Sequence, residues 1–126
     1  MVIRPSRTAA PAYGEAMPIR TITVPVKDLD AAKALYTRLL GTEPYADAPY
    51  YVGFRPEGGP ELGLDPHGDV AAGPIVYWHT GDIHAEMASL IATGATEEIP
   101  VHDVGGPLIA TLRDTDGNLF GLYQAP

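Results

Sequence analysis

The chain contains no cysteine. That removes disulfides, thiolate-bound metals and a thiol nucleophile, and it agrees with a reducing, cytoplasmic setting. Serine is almost as scarce: Ser6 and Ser89 are the two present, and neither stands in the Gly-x-Ser-x-Gly context of a nucleophile elbow. No apolar run approaches the roughly 18 residues of a membrane span. Arg4 and Arg7 are not followed by the apolar stretch of a secretory signal. Basic residues nearly vanish from the second half, where Arg113 is the one lysine or arginine after His67, against eight acidic residues. With a net charge of −8, such a surface repels nucleic acid and anionic membranes and favours neutral or cationic partners.

What the chain does have is repetition. Its 126 residues suit one domain with a single core system. Residues 1–18, rich in alanine and proline and without period, read as an N-terminal arm, which leaves 19–126 as the folded domain. From Ile19, "RTITVPV" alternates like a strand; Asp28 is placed to cap a helix whose apolar face is Leu29, Ala32, Leu35, Tyr36 and Leu39, closed by Gly41. The same order returns at "PIVYWHT": Asp82 caps, Ile83, Met87, Leu90 and Ile91 form the face, and Gly94 ends the helix. Three short strands follow each helix, near 43–47, 50–55 and 61–65 and near 96–102, 107–113 and 119–124, separated by Pro/Gly/Asp-rich turns. The paired glycines of "PEGGPELG" belong to such a turn, because no Lys-Ser/Thr follows to make a phosphate loop. The chain is therefore an α+β domain of two β-α-β-β-β modules, about 19–66 and 73–125, forming curved mixed sheets with the helices on the outer face.

One face of each sheet packs on its helix, so the other lines a concave cleft. The alternation sends Ile22, Val24 and Val26 to the helix, and Thr21, Thr23 and Pro25 into the cleft. It likewise turns Ile75, Tyr77 and His79 inward, with Val76 and Trp78 in the helix-side core beside Tyr36. Glu61, Gly63 and Asp65 face inward on the fourth strand, and Leu119, Gly121 and Tyr123 on the last. A glycine inside a strand packs nothing, so Gly63 and Gly121 mark either local bulges or places where the cleft floor needs space.

The stretches "VKDLDAAKALYTRLLG" and "RDTDGNLFGLY", in this order and with the repeat, resemble the vicinal oxygen chelate superfamily over residues 19–124. That superfamily includes glyoxalase I, extradiol dioxygenases, fosfomycin-resistance enzymes and bleomycin-resistance binding proteins. Leu35 stands where its helix motif usually has an aromatic, and Thr115 where its last turn usually has proline. The resemblance implies a divalent-metal site at four inward positions, which here are Thr21, Gly63, Ile75 and Gly121. None is a useful ligand, since a divalent ion of this kind takes three or four N/O donors. The expectation is thus a metal-free, binding-protein-like branch with no cofactor and no metal.

Three readings follow. The first is a cytoplasmic homodimer that binds an aromatic or hydrophobic small molecule, of cationic character if charged, in the manner of drug-sequestering resistance proteins. Its ligand-binding residues would be Thr21, Thr23, Tyr50, Glu61, Gly63, Tyr77, His79, Gly121 and Tyr123, with Tyr51 interchangeable with Tyr50. The second is a metal-free isomerase or hydrolase with His79 as catalytic base, assisted by Glu61 or a tyrosine. The third is a metal lyase or dioxygenase with ligands displaced to Glu61, His79 and His102.

Overall fold

The computed structural model of the protein describes residues 18–126. The proposed arm, residues 1–18, lies outside the described residues except for Pro18. The first module runs β1 (Ile19–Pro25), α1 (Leu29–Leu40), β2 (Ala46–Ala48), β3 (Tyr51–Phe54) and β4 (Glu61–Asp65). A short 3₁₀ turn (Val70–Ala72) leads to the second: β5 (Ile75–His79), α2 (Ile83–Thr93), β6 (Thr96–Asp103), β7 (Leu108–Arg113) and β8 (Leu119–Gln124). The strands join into one continuous curved, unclosed sheet in the order β2-β3-β4-β1-β5-β8-β7-β6. Each module pairs its first and last strands in parallel, and the modules meet where β1 runs antiparallel to β5. Among the described residues no helix is long and apolar enough to cross a membrane.

Both helices start and stop where the sequence says. The Asp28 carboxylate accepts from Ala31 N–H at 3.0 Å, and Asp82 does the same for Ala85 at 3.1 Å, satisfying amides that a helix start leaves free. Gly41 closes α1 at φ +69°, a left-handed conformation that suits glycine. Gln124 adds a tie between layers by accepting from Ile83 N–H at 2.7 Å.

Two cores form, one under each helix. Val52, Phe54 and Leu64 are buried beneath Leu29, Ala32, Tyr36 and Leu40 of α1; Ile83 and Met87 of α2 pack on Ala110, Leu112 and Leu122. Each fully buried aliphatic or aromatic side chain of this kind contributes about 1.5–3 kcal/mol. Several side chains expected in these faces are exposed. Leu35 and Leu39 are 59% and 68% exposed, because the buried stripe centres on residues 29, 32, 36 and 40 and leaves its neighbour one step round the helix outside. Ile91 is exposed on α2 for the same reason. Trp78 keeps its helix-side orientation but borders an open groove beside Glu86 and Leu90, and is 40% exposed rather than core.

Candidate functional site

The concave face is built outward from β1. Thr21 and Thr23 sit at its centre, with Glu61 and Gly63 as their partners on β4 and Tyr77 and Ile75 as their partners on β5. Gly121 and Tyr123 of β8 lie beside Tyr77 and His79. These strands enclose an open cavity of about 430 Å³, walled on the far side by Val104, Pro107 and Ile109.

Arg20 enters this cavity although strict alternation from Thr21 points it the other way. The cause is local: the β1–β5 register shifts between Ile19 and Thr21, so the strand carries an irregularity at Arg20. Inside, the Arg20 Nη1 donates to Glu61 Oε1 at 3.1 Å, and its guanidinium lies 4.8 Å from the centre of the Tyr123 ring. Glu61 is met by four other side chains. Its other oxygen accepts from Tyr45 Oη at 2.8 Å and from Tyr51 Oη, while Arg55 stands 3.9 Å from Oε1 and stacks on Tyr45 at 3.8 Å. The Glu61 side chain is only 6% exposed, so this cluster compensates a desolvated charge. Burial and the hydrogen bond to the carboxylate push the phenols of Tyr51 and Tyr45 above the usual tyrosine range.

The two strand glycines are covered by the protein itself. A Cβ on Gly63 would lie 2.2 Å from Tyr51 Oη, and one on Gly121 would lie 2.3 Å from Tyr77 Cδ2. Neither position has a positive φ, so the glycines answer side-chain crowding and not backbone strain. The space expected for a ligand at Gly63 and Gly121 is therefore filled by tyrosine rings. At Gly53, directly across from Gly63, a Cβ would meet both Tyr45 and Tyr51 at 2.9 Å.

These contacts test whether the superfamily's metal fits. Of the four positions, Thr21 offers a hydroxyl, Ile75 offers nothing, and the two glycines lie under phenol rings. Among the described residues no three His, Cys, Asp or Glu side chains converge. The residues present do not fit the ion.

Of the other candidates, Tyr77 and Tyr123 line the cavity, and burial followed by the nearby Asp65 charge raises the Tyr77 phenol. Tyr50 does not line it: that side chain is 68% exposed, and Tyr51 is the one that turns inward. The two are adjacent in sequence, so one residue of register decides between them. His79 packs edge-on against Tyr123 at 5.3 Å and borders a smaller depression behind Arg20 instead of the main cavity. Burial and the Arg20 charge lower its basicity below the ordinary histidine value. His102 is exposed and bonded to Pro100 O through Nδ1. Sequence reasoning missed Arg20, Arg55 and Tyr45; alternation gave no sign of the irregularity, and the other two reach the site from outside β3 and β4.

No protein among the curated sequences matches this chain. The fold has solved counterparts. Methylmalonyl-CoA epimerase from Mycobacterium tuberculosis superposes with a TM-score of 0.69 at 17% identity, over 86% of this chain and 88% of that one. A glyoxalase/bleomycin resistance protein/dioxygenase superfamily member from Vibrio splendidus 12B01 gives 0.66 at 16% identity, over 84% and 98%. The Mn(II)-bound glyoxalase from Novosphingobium aromaticivorans gives 0.65 at 24% identity, over 85% of this chain but 38% of that longer one. The sequence profile of the glyoxalase-like domain family matches residues 21–123, from the central threonine of β1 to the tyrosine that stacks under Arg20. The chain belongs to the glyoxalase-like domain family.

Proposed function

We propose that this protein binds a small organic molecule in the β1/β4/β5/β8 cleft with its own side chains and holds no ion at the superfamily's metal position. The observation that carries the reading is the covering of Gly63 by Tyr51 and of Gly121 by Tyr77, which puts phenol rings where the resemblance leads one to expect metal ligands. A cavity of about 430 Å³ walled by aromatic and aliphatic side chains with a few hydroxyls and charges has the size and character of a small-molecule pocket. Affinity alone serves a sequestering role such as drug resistance, and this cleft supplies affinity without a reactive centre.

A metal-free acid–base enzyme is less well supported. Glu61 is engaged by two arginines and two tyrosines, and His79 lies outside the main cavity with a T-shaped contact to Tyr123.

The test pairs metal and ligand titrations on the purified chain. Zinc, nickel, manganese and iron(II) should leave the melting temperature unchanged, whereas a ligand at a hundred times its Kd adds about 2.7 kcal/mol and raises it visibly. Neutral aromatic probes such as benzamide should shift NMR signals of Thr21, Thr23, Tyr77 and Tyr123. One metal per chain with a clear stabilisation refutes the proposal.

A further inference from the structure

The two ends of the cleft are built unequally. At one end a guanidinium, a carboxylate and a tyrosine face form a complete set: Arg20 lies over Tyr123 and bonds Glu61. Arg55 repeats the arrangement with Tyr45 and the same carboxylate. Four residues or about 13 Å further along β4 stands Asp65, which lines the same cavity as Tyr77 and whose charge reaches the Tyr77 phenol. Asp65 lines the cavity with its side chain 35% exposed, and its Oδ1 accepts from His67 N–H at 2.8 Å. Among the described residues its Oδ2 has no hydrogen-bond partner, no lysine or arginine pairs with it, and the His67 ring at 4.0 Å is 77% exposed. Among the same residues Tyr77 and Tyr51 carry no cation, unlike Tyr45 and Tyr123. Asp65 thus faces a cavity it shares with the Tyr77 ring, without the cation that completes the set around Glu61.

Resting on the binding reading above, we infer that Asp65 and Tyr77, which line the same cavity, form a subsite for an organic cation between them, so that the cleft selects planar amidinium, guanidinium or ammonium ligands over neutral ones of the same shape. A partly desolvated carboxylate attracts a cation more strongly than a solvated one, and a phenol face adds cation–π attraction. The strongly acidic second half of the chain raises the local concentration of such ligands near the mouth.

The probes are benzamidine and benzamide, planar and nearly isosteric, one cationic and one neutral, titrated by NMR or calorimetry. Benzamidine should bind at least about tenfold more tightly, and D65N should abolish that preference while leaving benzamide unaffected. E97Q, which removes one negative charge from exposed β6, should retain the preference. The amide introduced by D65N keeps an oxygen for the His67 N–H, and circular dichroism verifies the fold; should D65N unfold, the wild-type comparison of the two probes decides. Equal affinities in the wild type, or a preference that survives D65N or disappears in E97Q, overturn the inference. Benzamide binding without a preference leaves the binding reading standing, whereas silence from both probes at the solubility limit overturns both.

Discussion

Replacing Gly121 with alanine adds one methyl group to the middle of β8, and the structure says what it meets. The new carbon would stand 2.3 Å from Tyr77 Cδ2 and 2.4 Å from Cε2. Carbon contacts settle near 3.5–4.0 Å, so the ring must retreat by roughly 1.2–1.7 Å. Tyr77 pairs directly with Gly121, and β5 is fixed on both sides by β1 and β8, so the ring yields by rotating into the cavity. Overpacking of this kind costs about 1–3 kcal/mol, while glycine-to-alanine relief in the unfolded chain returns about 0.5–1 kcal/mol. The net expectation is a loss of about 0.5–2 kcal/mol, read as a fall in Tm of roughly 4–8 °C per kcal/mol for a domain of this size. The decisive assay is a double-mutant cycle by urea denaturation. In the Y77A background the methyl group has room, so G121A should become neutral or stabilising, with a coupling above about 1 kcal/mol. A G121A variant as stable as wild type, with coupling under about 0.5 kcal/mol, refutes the claim that Tyr77 is why position 121 is glycine.

Four further outcomes follow from the site. E61A should cost about 3–5 kcal/mol by chemical denaturation, because Arg20 then loses its buried counter-charge and two phenols lose their acceptor. Y51F should cost about 1.5–3 kcal/mol for a hydrogen bond to a charged acceptor, whereas Y50F should stay within about 0.5 kcal/mol of wild type. T111V should raise stability by about 1 kcal/mol, since the buried Thr111 hydroxyl has no partner among the described residues. The phenols of Tyr45, Tyr51 and Tyr77 are raised in the fold. Above the ordinary tyrosine value near 10 the unfolded chain sheds these protons first, so stability should be full below about pH 10 and fall as pH rises beyond it. Ultraviolet titration should show Tyr51 ionising only with unfolding, and Tyr45 and Tyr77 ionising above the ordinary tyrosine value.

Much of the fold is legible in the sequence because its signals are local. Asp28 and Asp82 at equivalent places, each before an apolar helical stripe and a closing glycine, are enough to see the duplication. Alternation then assigns Thr21, Thr23, Tyr77 and Tyr123 to the cleft correctly, since β1, β5 and β8 keep their registers across those residues. Where the reading fails, the missing information is nonlocal. The choice between Tyr50 and Tyr51 depends on the length of the β2–β3 turn, and Tyr45 N–H bonding to Gly53 O starts that hairpin later than expected. The space implied by Gly63 and Gly121 exists in the backbone, but the rings that fill it come from other strands, paired by contacts no single segment reveals.

The duplication also bears on the proposed preference of this cleft for an organic ligand over an ion. Backbone register is shared by the modules: Gly63 pairs with Thr23 and Gly53, and Gly121 pairs with Tyr77 and Thr111. Thr23 therefore corresponds to Tyr77, and Tyr51, two residues before Gly53, corresponds to Ile109. Each module covers its glycine with one tyrosine, but the first takes it from the outer strand and the second from the inner one. An ion between the modules needs donors converging from both halves, and it is indifferent to which half supplies which. A shaped organic molecule benefits from halves that differ: here one offers Thr23 and a bonded Arg20–Glu61 pair, and the other offers the Tyr77 ring and the aliphatic wall of Ile109. With glycines at the paired positions, side chains on the two halves have no common ion to converge on, and the shared backbone register places no limit on how far they differ.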